Sequence, residues 1–215
     1  MIIAVDGPAA SGKGTLARRL AKHYRLAHLE SGMLYRATAF VLLQAGGDPG
    51  DPKAAEDAAK RVRPEMLGDP RLKTEAVSDT ASIVASIPDV RRTLLAFQRA
   101  FAKHPPGGTR GTVLDGRDIG TVVCPEADAK LFVTADVEAR AMRRFKELQA
   151  GGHEAIYERV LQDMKLRDAR DRERRIAPLV RAPDAFELDT TSLDADAAFQ
   201  AAVRFIDQKL SRPAG

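Results

Sequence analysis

The stretch "GPAASGKGT", from Gly7 to Thr15, carries the residue types needed to bind a polyphosphate. It matches the pattern G-x-x-x-x-G-K and lies between an apolar run and an amphipathic one, the strand–turn–helix context that the pattern requires. Glycines let the backbone curl so that successive N–H groups point at phosphate oxygens. The helix that follows offers its positive end, and Lys13 reaches the terminal phosphates. The residue after Lys13 is Gly14 rather than serine or threonine, so the usual hydroxyl ligand for Mg²⁺ is missing there. Thr15 is expected to contact phosphate instead. The metal would then be held by nucleotide oxygens and water, which Mg²⁺ tolerates.

Three further stretches could do chemistry. In "SGMLYR", Arg36 stands about one helical turn past Gly32, where its planar fork suits a phosphate; the same spacing also fits a surface arginine on an amphipathic helix. "LDGRDIG" puts Asp115, Arg117 and Asp118 just past a strand end, where ligands bind in open parallel sheets. There Asp115 could position a metal's waters, Arg117 a phosphate and Asp118 a base, or the three could form a plain charged turn. "LRDARDRERR" crowds Arg167, Arg170, Arg172, Arg174 and Arg175 among Asp168, Asp171 and Glu173. On a helix, Arg167, Arg170, Asp171 and Arg174 share one face, while Asp168, four residues before Arg172, and Asp171, four before Arg175, pair as solvated charge.

These stretches need a scaffold. "IIAVD" reads as a buried strand stopped by Gly7-Pro8, "AHLE" as a second strand, and "TVLDGRD", "AKLFVTA" and "AFELDT" as three more. "KGTLARRLAKHY" and "SGMLYRATAFVLLQ" read as helices, the second with Ser31 as its cap. From Gly46 to Asp79 the chain is punctuated by proline and glycine, with a polar helix near residues 52–63. Val90, Leu94, Phe97 and Phe101 follow Pro88 at helical spacing. Helix is expected from Asp136 to about Gln149 and again from Glu154 through the arginine run to Pro178. The break at Gly151-Gly152 fits either a lid hinge or a plain interruption. Strands alternating with helices argue for a parallel sheet with crossover helices.

The 215 residues suffice for one α/β domain with insertions. A net charge of +4 leans toward an anionic partner. Cys124 is the only cysteine, which rules out an intrachain disulfide and, with no leader-like N-terminus, makes the cytoplasm the expected location. No run approaches a membrane span.

Together the motifs resemble the bacterial cytidylate kinases. The resemblance spans the whole chain and rests on "GPAASGKGT", "SGMLYR", "SDTASIVASIPDVRR", "DGRDIGTVV" and "RDARDRERRIAPL", in that order. The "GKGT" variant itself is typical of nucleoside monophosphate kinases. The resemblance implies an α/β fold of the P-loop NTPase type: a parallel sheet flanked by helices, with an inserted monophosphate-binding domain and a short lid. Residues 1–30 and 111–215 would form the core, with the lid at about 143–160, and residues 31–110 the monophosphate-binding region.

The activity implied is transfer of the ATP γ-phosphoryl group to CMP or dCMP, with Mg²⁺. ATP would meet Gly7, Pro8, Ala9, Ala10, Ser11, Gly12, Lys13, Gly14 and Thr15, with Arg143 or Arg144 closing over it. Ser31, Ser82, Arg91 and Asp118 would hold the pyrimidine, Arg36, Arg117 and Arg174 the acceptor phosphate, and Arg167 and Asp171 the ribose. Lys13, Arg117, Arg167 and Arg174 carry the transfer, and Asp115 would reach the metal through water. Ala10 departs from the glycine common at its position. The segment around residues 64–74 is shorter than in the longer bacterial members, and Lys73 stands where arginine is expected.

Kinases for UMP, AMP or shikimate are the nearest alternatives. A regulatory NTPase that binds RNA is the more distant one. It conflicts with the acids that alternate along the arginine run, and with an aromatic content of 5% and no tryptophan for base stacking. The chain is thus expected to act as a monomer on ATP and CMP or dCMP, without nucleic acid or membrane.

Overall fold

The computed structural model describes residues 1–152 and 154–211. Strands β1 (Ile2–Asp6), β2 (Ala27–Glu30), β3 (Thr112–Gly116), β4 (Ala129–Thr134) and β5 (Phe186–Asp189) form one sheet in the order β2-β3-β1-β4-β5. β1 lies at the centre, parallel to β3 on one side and β4 on the other, with Ile3 opposite both Val113 and Ala129; β5 continues the sheet parallel to β4. A central strand is covered on both faces, so its apolar run is continuous rather than alternating. The chain returns first to one side of β1 and later to the other. Such a reversal leaves a crevice outside the strands' carboxyl ends.

Helix α1 (Lys13–Tyr24) follows β1, and α2 (Ser31–Gln44) follows β2. Next come α3 (Pro52–Lys60), α4 (Glu75–Val84) and α5 (Pro88–Lys103), then α6 (Val137–Ala150), α7 (Tyr157–Glu173) and α8 (Ala195–Leu210). Two compact units result: Met1–His28 with Pro105–Gly215, and Leu29–His104.

The first unit buries Ile3, Val5, Val113, Leu131, Val133 and Leu188 of the sheet against Leu16 and Leu20 of α1 and Ile206 of α8. In the second, α2 packs against α3 and α4, and α3 against α5. Asp51 caps α3 by accepting from the N–H groups of Lys53 and Ala54, with Pro52 at the first helical position. Residues 64–74 fold into two short 3₁₀ turns, and no strand occurs between residues 31 and 111.

Several boundaries differ from the sequence reading. Glu30, not Ser31, is the residue flanking α2, and Ser31 already lies inside the helix. The helix expected from Glu154 begins at Tyr157, leaving 151–156 as a connection in which His153 falls outside the described residues. α7 stops at Glu173 rather than Pro178. Residues preceding a proline are disfavoured in the right-handed helical region, and Ala177, before Pro178, adopts a left-handed φ of 49°.

Candidate active site

The loop between β1 and α1 turns on two glycines. A Cβ on Gly7 would lie 2.1 Å from the Val133 carbonyl oxygen, so only glycine lets the loop cross β4 this closely. Gly12 takes a left-handed φ of 85° at the entrance to α1. Ala10 does the same without glycine's freedom, at φ 55°. Lys13 opens α1 and folds back over the loop, its Nζ donating to the Pro8 carbonyl at 3.1 Å. The Ser11 side chain is fully buried, and among the described residues its Oγ meets no hydrogen-bond partner. A buried orphan hydroxyl in a loop that opens a helix suits an oxygen-rich ligand. Thr15 is exposed.

Asp6 ends β1 and is missing from the sequence reading. Its carboxyl group accepts from the N–H of Ile119 at 2.8 Å and of Gly120 at 2.7 Å. It thereby ties the strand feeding the phosphate loop to the turn that follows β3. That turn is a single π-helical loop over Ile119–Val123. Burial pushes the Asp6 carboxyl up to about 7, against the two amides and Arg117, which favour the charged form; Asp118 adds to the rise. The sequence signal was faint: an acid ending an otherwise apolar strand.

Asp115 and Asp118 are both buried. His28, at the end of its unit, places Nε2 2.7 Å from Asp115 Oδ1. A carboxylate can only accept, so the proton of that contact sits on Nε2. A Cβ on Gly14 would stand 3.8 Å from Asp115 Oδ2. The carboxylate is therefore beside the position where related loops carry a hydroxyl. No group of three or more histidine, cysteine or acidic side chains among the described residues forms a metal cage. This donor set suits a cation bound chiefly to phosphate and water.

The arginine run divides differently from its helical reading. Arg117 Nε donates to Asp171 Oδ2 at 2.8 Å. Burial would raise Asp171, yet Arg117, Arg167 and Arg174 together hold its carboxyl below the usual range. Conversely, burial disfavours the charged Arg117, and Asp171 more than compensates, raising it. Arg174 lies past the helix, not on the shared face expected of it. Its Nε donates to the Ala177 carbonyl at 2.5 Å, and its Nη2 stands 3.6 Å from Asp118 Oδ1. The N–H of Leu179 donates to the Asp171 carbonyl at 2.8 Å, folding the tail back onto α7.

Asp168 is a second correction. It was expected to pair with Arg172 in solvent, but it is buried and accepts both terminal nitrogens of Arg140. A buried arginine needs a desolvated counter-charge, and this outweighs a weak intrahelical pair. Arg170, Arg172 and Arg175 are exposed.

Arg143, expected to close over ATP, donates to the Thr190 hydroxyl at 3.1 Å and to the Thr190 carbonyl, just past the end of β5. The same hydroxyl is 3.0 Å from the Ser11 carbonyl. Among the described residues, Arg144 reaches Glu147, at 3.4 Å near solvent.

In the second unit Arg36 donates to the Leu72 carbonyl at 2.8 Å and to the Ser78 hydroxyl at 3.0 Å. Arg91 donates to the Ala85 carbonyl at 3.1 Å and lies over the Tyr35 ring. Ser31 and Ser82 are buried. Lys73 closes a 3₁₀ turn and takes part in none of these contacts.

The comparisons of sequence agree on one family. A family model described as cytidylate kinase matches residues 3–208. A cytidylate kinase of Rhodospirillum rubrum is 55% identical over 209 residues, covering 97% of this chain and 98% of its own. One of Paramagnetospirillum magneticum is 58% identical over 208 residues, with the same coverage. Among solved structures, an uncharacterized protein from Eubacterium ventriosum shares the fold at a TM-score of 0.55 and 17% identity, over 99% of both chains.

Asp6 yields a pH signature. An unfolded chain ionises this carboxyl above about pH 4, whereas the folded chain keeps it protonated until about pH 7. Folding therefore binds a proton in this window, and the contribution of Asp6 to stability is lost as pH rises through it. The stability margin of the wild type over Asp6→Asn should shrink between about pH 5 and about pH 7, by up to ~1.4 kcal/mol per pH unit. Urea denaturation at stepped pH measures this; a flat margin would mean an ordinary carboxylate.

Proposed function

Because the chain belongs to the cytidylate kinase family, we propose that it transfers the γ-phosphoryl group of ATP to CMP or dCMP, giving CDP or dCDP. The observation that carries this reading is the phosphate loop Gly7–Thr15 set between β1 and α1, at the reversal of strand order. The loop's amides, Lys13 and the Ser11 hydroxyl would hold the ATP phosphates. Toward CMP, Arg117 and Arg174 of the first unit and Arg36 of the second would take the phosphate, Arg167 and Asp171 the ribose, and Asp118, Ser31, Ser82 and Arg91 the base. We read Leu29–His104 as the monophosphate-binding region on the same grounds.

The nucleophile is a phosphate oxygen, already largely ionised near neutrality because the second phosphate pKa is about 6. No dedicated base is required. The difficulty is that two polyanions must meet, so positioned positive charge dominates. Mg²⁺, bound mainly to ATP oxygens and water, would neutralise phosphate charge, and Asp115 would accept a hydrogen bond from one of its waters. His28 orients that carboxylate. Arg117 and Arg174 sit ready beside Asp171 and Asp118, charged and desolvated before substrate arrives. A water-free pocket is needed to keep ATP from hydrolysis.

Base choice follows from hydrogen bonding. The exocyclic amino group of cytosine donates, and the Asp118 carboxylate accepts; uracil offers an acceptor there and leaves the carboxylate unpaired. A coupled assay with ATP-Mg²⁺ should show ADP formation with CMP and dCMP well above UMP, AMP or shikimate, and no ADP with CMP would refute the reading. In Asp118→Ala the CMP-over-UMP ratio of kcat/KM should fall at least about tenfold; an unchanged ratio removes Asp118 from base reading. Arg174→Ala should lower kcat/KM by about tenfold or more, while the exposed Arg172→Ala stays near wild type. Equal losses would return both to surface charge.

A further inference from the structure

Arg140 is the most deeply buried charged side chain of α6, at 2% exposure, and neither the sequence reading nor the ligand sets above include it. Its guanidinium joins three segments. Nε donates to the Ala135 carbonyl at 2.8 Å, where β4 passes into α6. Nη1 donates to the Ala9 carbonyl of the phosphate loop at 3.2 Å and to Asp168 Oδ1 at 3.1 Å, and Nη2 donates to Asp168 Oδ2 at 2.5 Å. Only a planar fork makes a two-point carboxylate contact while its remaining donors reach elsewhere.

The Ala9 carbonyl belongs to the peptide that leads into Ala10, whose left-handed φ of 55° is disfavoured for any residue with a Cβ. A strained residue persists only where its surroundings fix it. The hydrogen bond from Arg140 fixes one side of that peptide. At the other end of the same guanidinium, Asp168 sits on α7 beside Arg167 and one turn before Asp171 and Arg172. We propose that Arg140 is a positioning residue: it holds the strained Ala9–Ala10 turn of the phosphate loop and locks that loop to α7, so that ATP affinity depends on a side chain that does not touch ATP. This rests on ATP as the ligand of the loop.

Removing one member of a buried pair would endanger folding, whereas replacing both by apolar residues of similar size is often tolerated. The test is therefore the double variant Arg140→Met/Asp168→Leu, alone and with Ala10→Gly added. Thermal denaturation establishes folding, and calorimetry with a non-hydrolysable ATP analogue and Mg²⁺ gives affinity. The double variant should bind the analogue at least tenfold more weakly than wild type. Ala10→Gly should recover at least threefold of that loss, because glycine holds the left-handed turn unaided.

Affinity within threefold of wild type would overturn the proposal. A tenfold loss that Ala10→Gly leaves unchanged would also overturn it, reducing Arg140 to a structural ion pair. Failure of the wild type to bind the analogue would instead refute the reading of the loop, and this inference with it.

Discussion

Two negatively charged nucleotides repel each other most strongly where water is scarce, and bringing them into bonding distance is the constraint behind much of this structure. The first unit meets it by storing positive charge in a dry place. An isolated buried charge would be prohibitive, so each is stored with a partner. Arg117 lies against Asp171, Arg174 near Asp118, and Arg140 in the fork of Asp168. Each carboxylate offsets the cost of burying its arginine away from water. Two of the acids that argue against nucleic-acid binding along the arginine run, Asp168 and Asp171, are what make the buried Arg140 and Arg117 affordable to the fold.

Paired charge also determines which pieces of chain move together. The loops that matter all leave the carboxyl ends of strands, and loops need fastening if they are to hold geometry. Asp6 fastens the turn after β3 to the end of β1 through two backbone amides. Thr190, after β5, reaches the Ser11 carbonyl and receives Arg143. Arg140 links the Ala9 carbonyl to α7. The phosphate loop is thus held by Thr190 at the Ser11 carbonyl and by Arg140 at the Ala9 carbonyl, while Asp6 anchors the strand end that leads into it. Preorganisation of this kind removes the reorganisation that solvent would otherwise demand during transfer.

The legible and illegible parts of the sequence separate along a physical line. All five strands were readable, most plainly β1, a short apolar run stopped by Gly7-Pro8, and β4, rich in apolar and β-branched residues. The phosphate loop was readable because its glycines answer to steric demands that no other residue meets, as the contact between Gly7 and Val133 shows. Long-range polar pairs were not readable. Asp168 sits four residues from Arg172, and spacing favours that local pair, yet its partner lies 28 positions upstream on another helix. Nothing in "VEARAMRRFKEL" distinguishes the buried Arg140 from the half-buried Arg143 and Arg144 until α6 is packed. The end of α7 was also misplaced, since the effect of Pro178 extends to residues before it. The contact of Arg143 with Thr190 was likewise beyond spacing.

Everything in this account depends on the γ-phosphoryl group passing to a nucleotide rather than to water. The most direct measurement is ³¹P NMR of the protein with ATP, Mg²⁺ and CMP, following the phosphorus signals as ATP is consumed. The expected result is a new β-phosphate signal of CDP growing in step with ADP, with little inorganic phosphate. Inorganic phosphate rising in step with ADP, and no CDP, would contradict it.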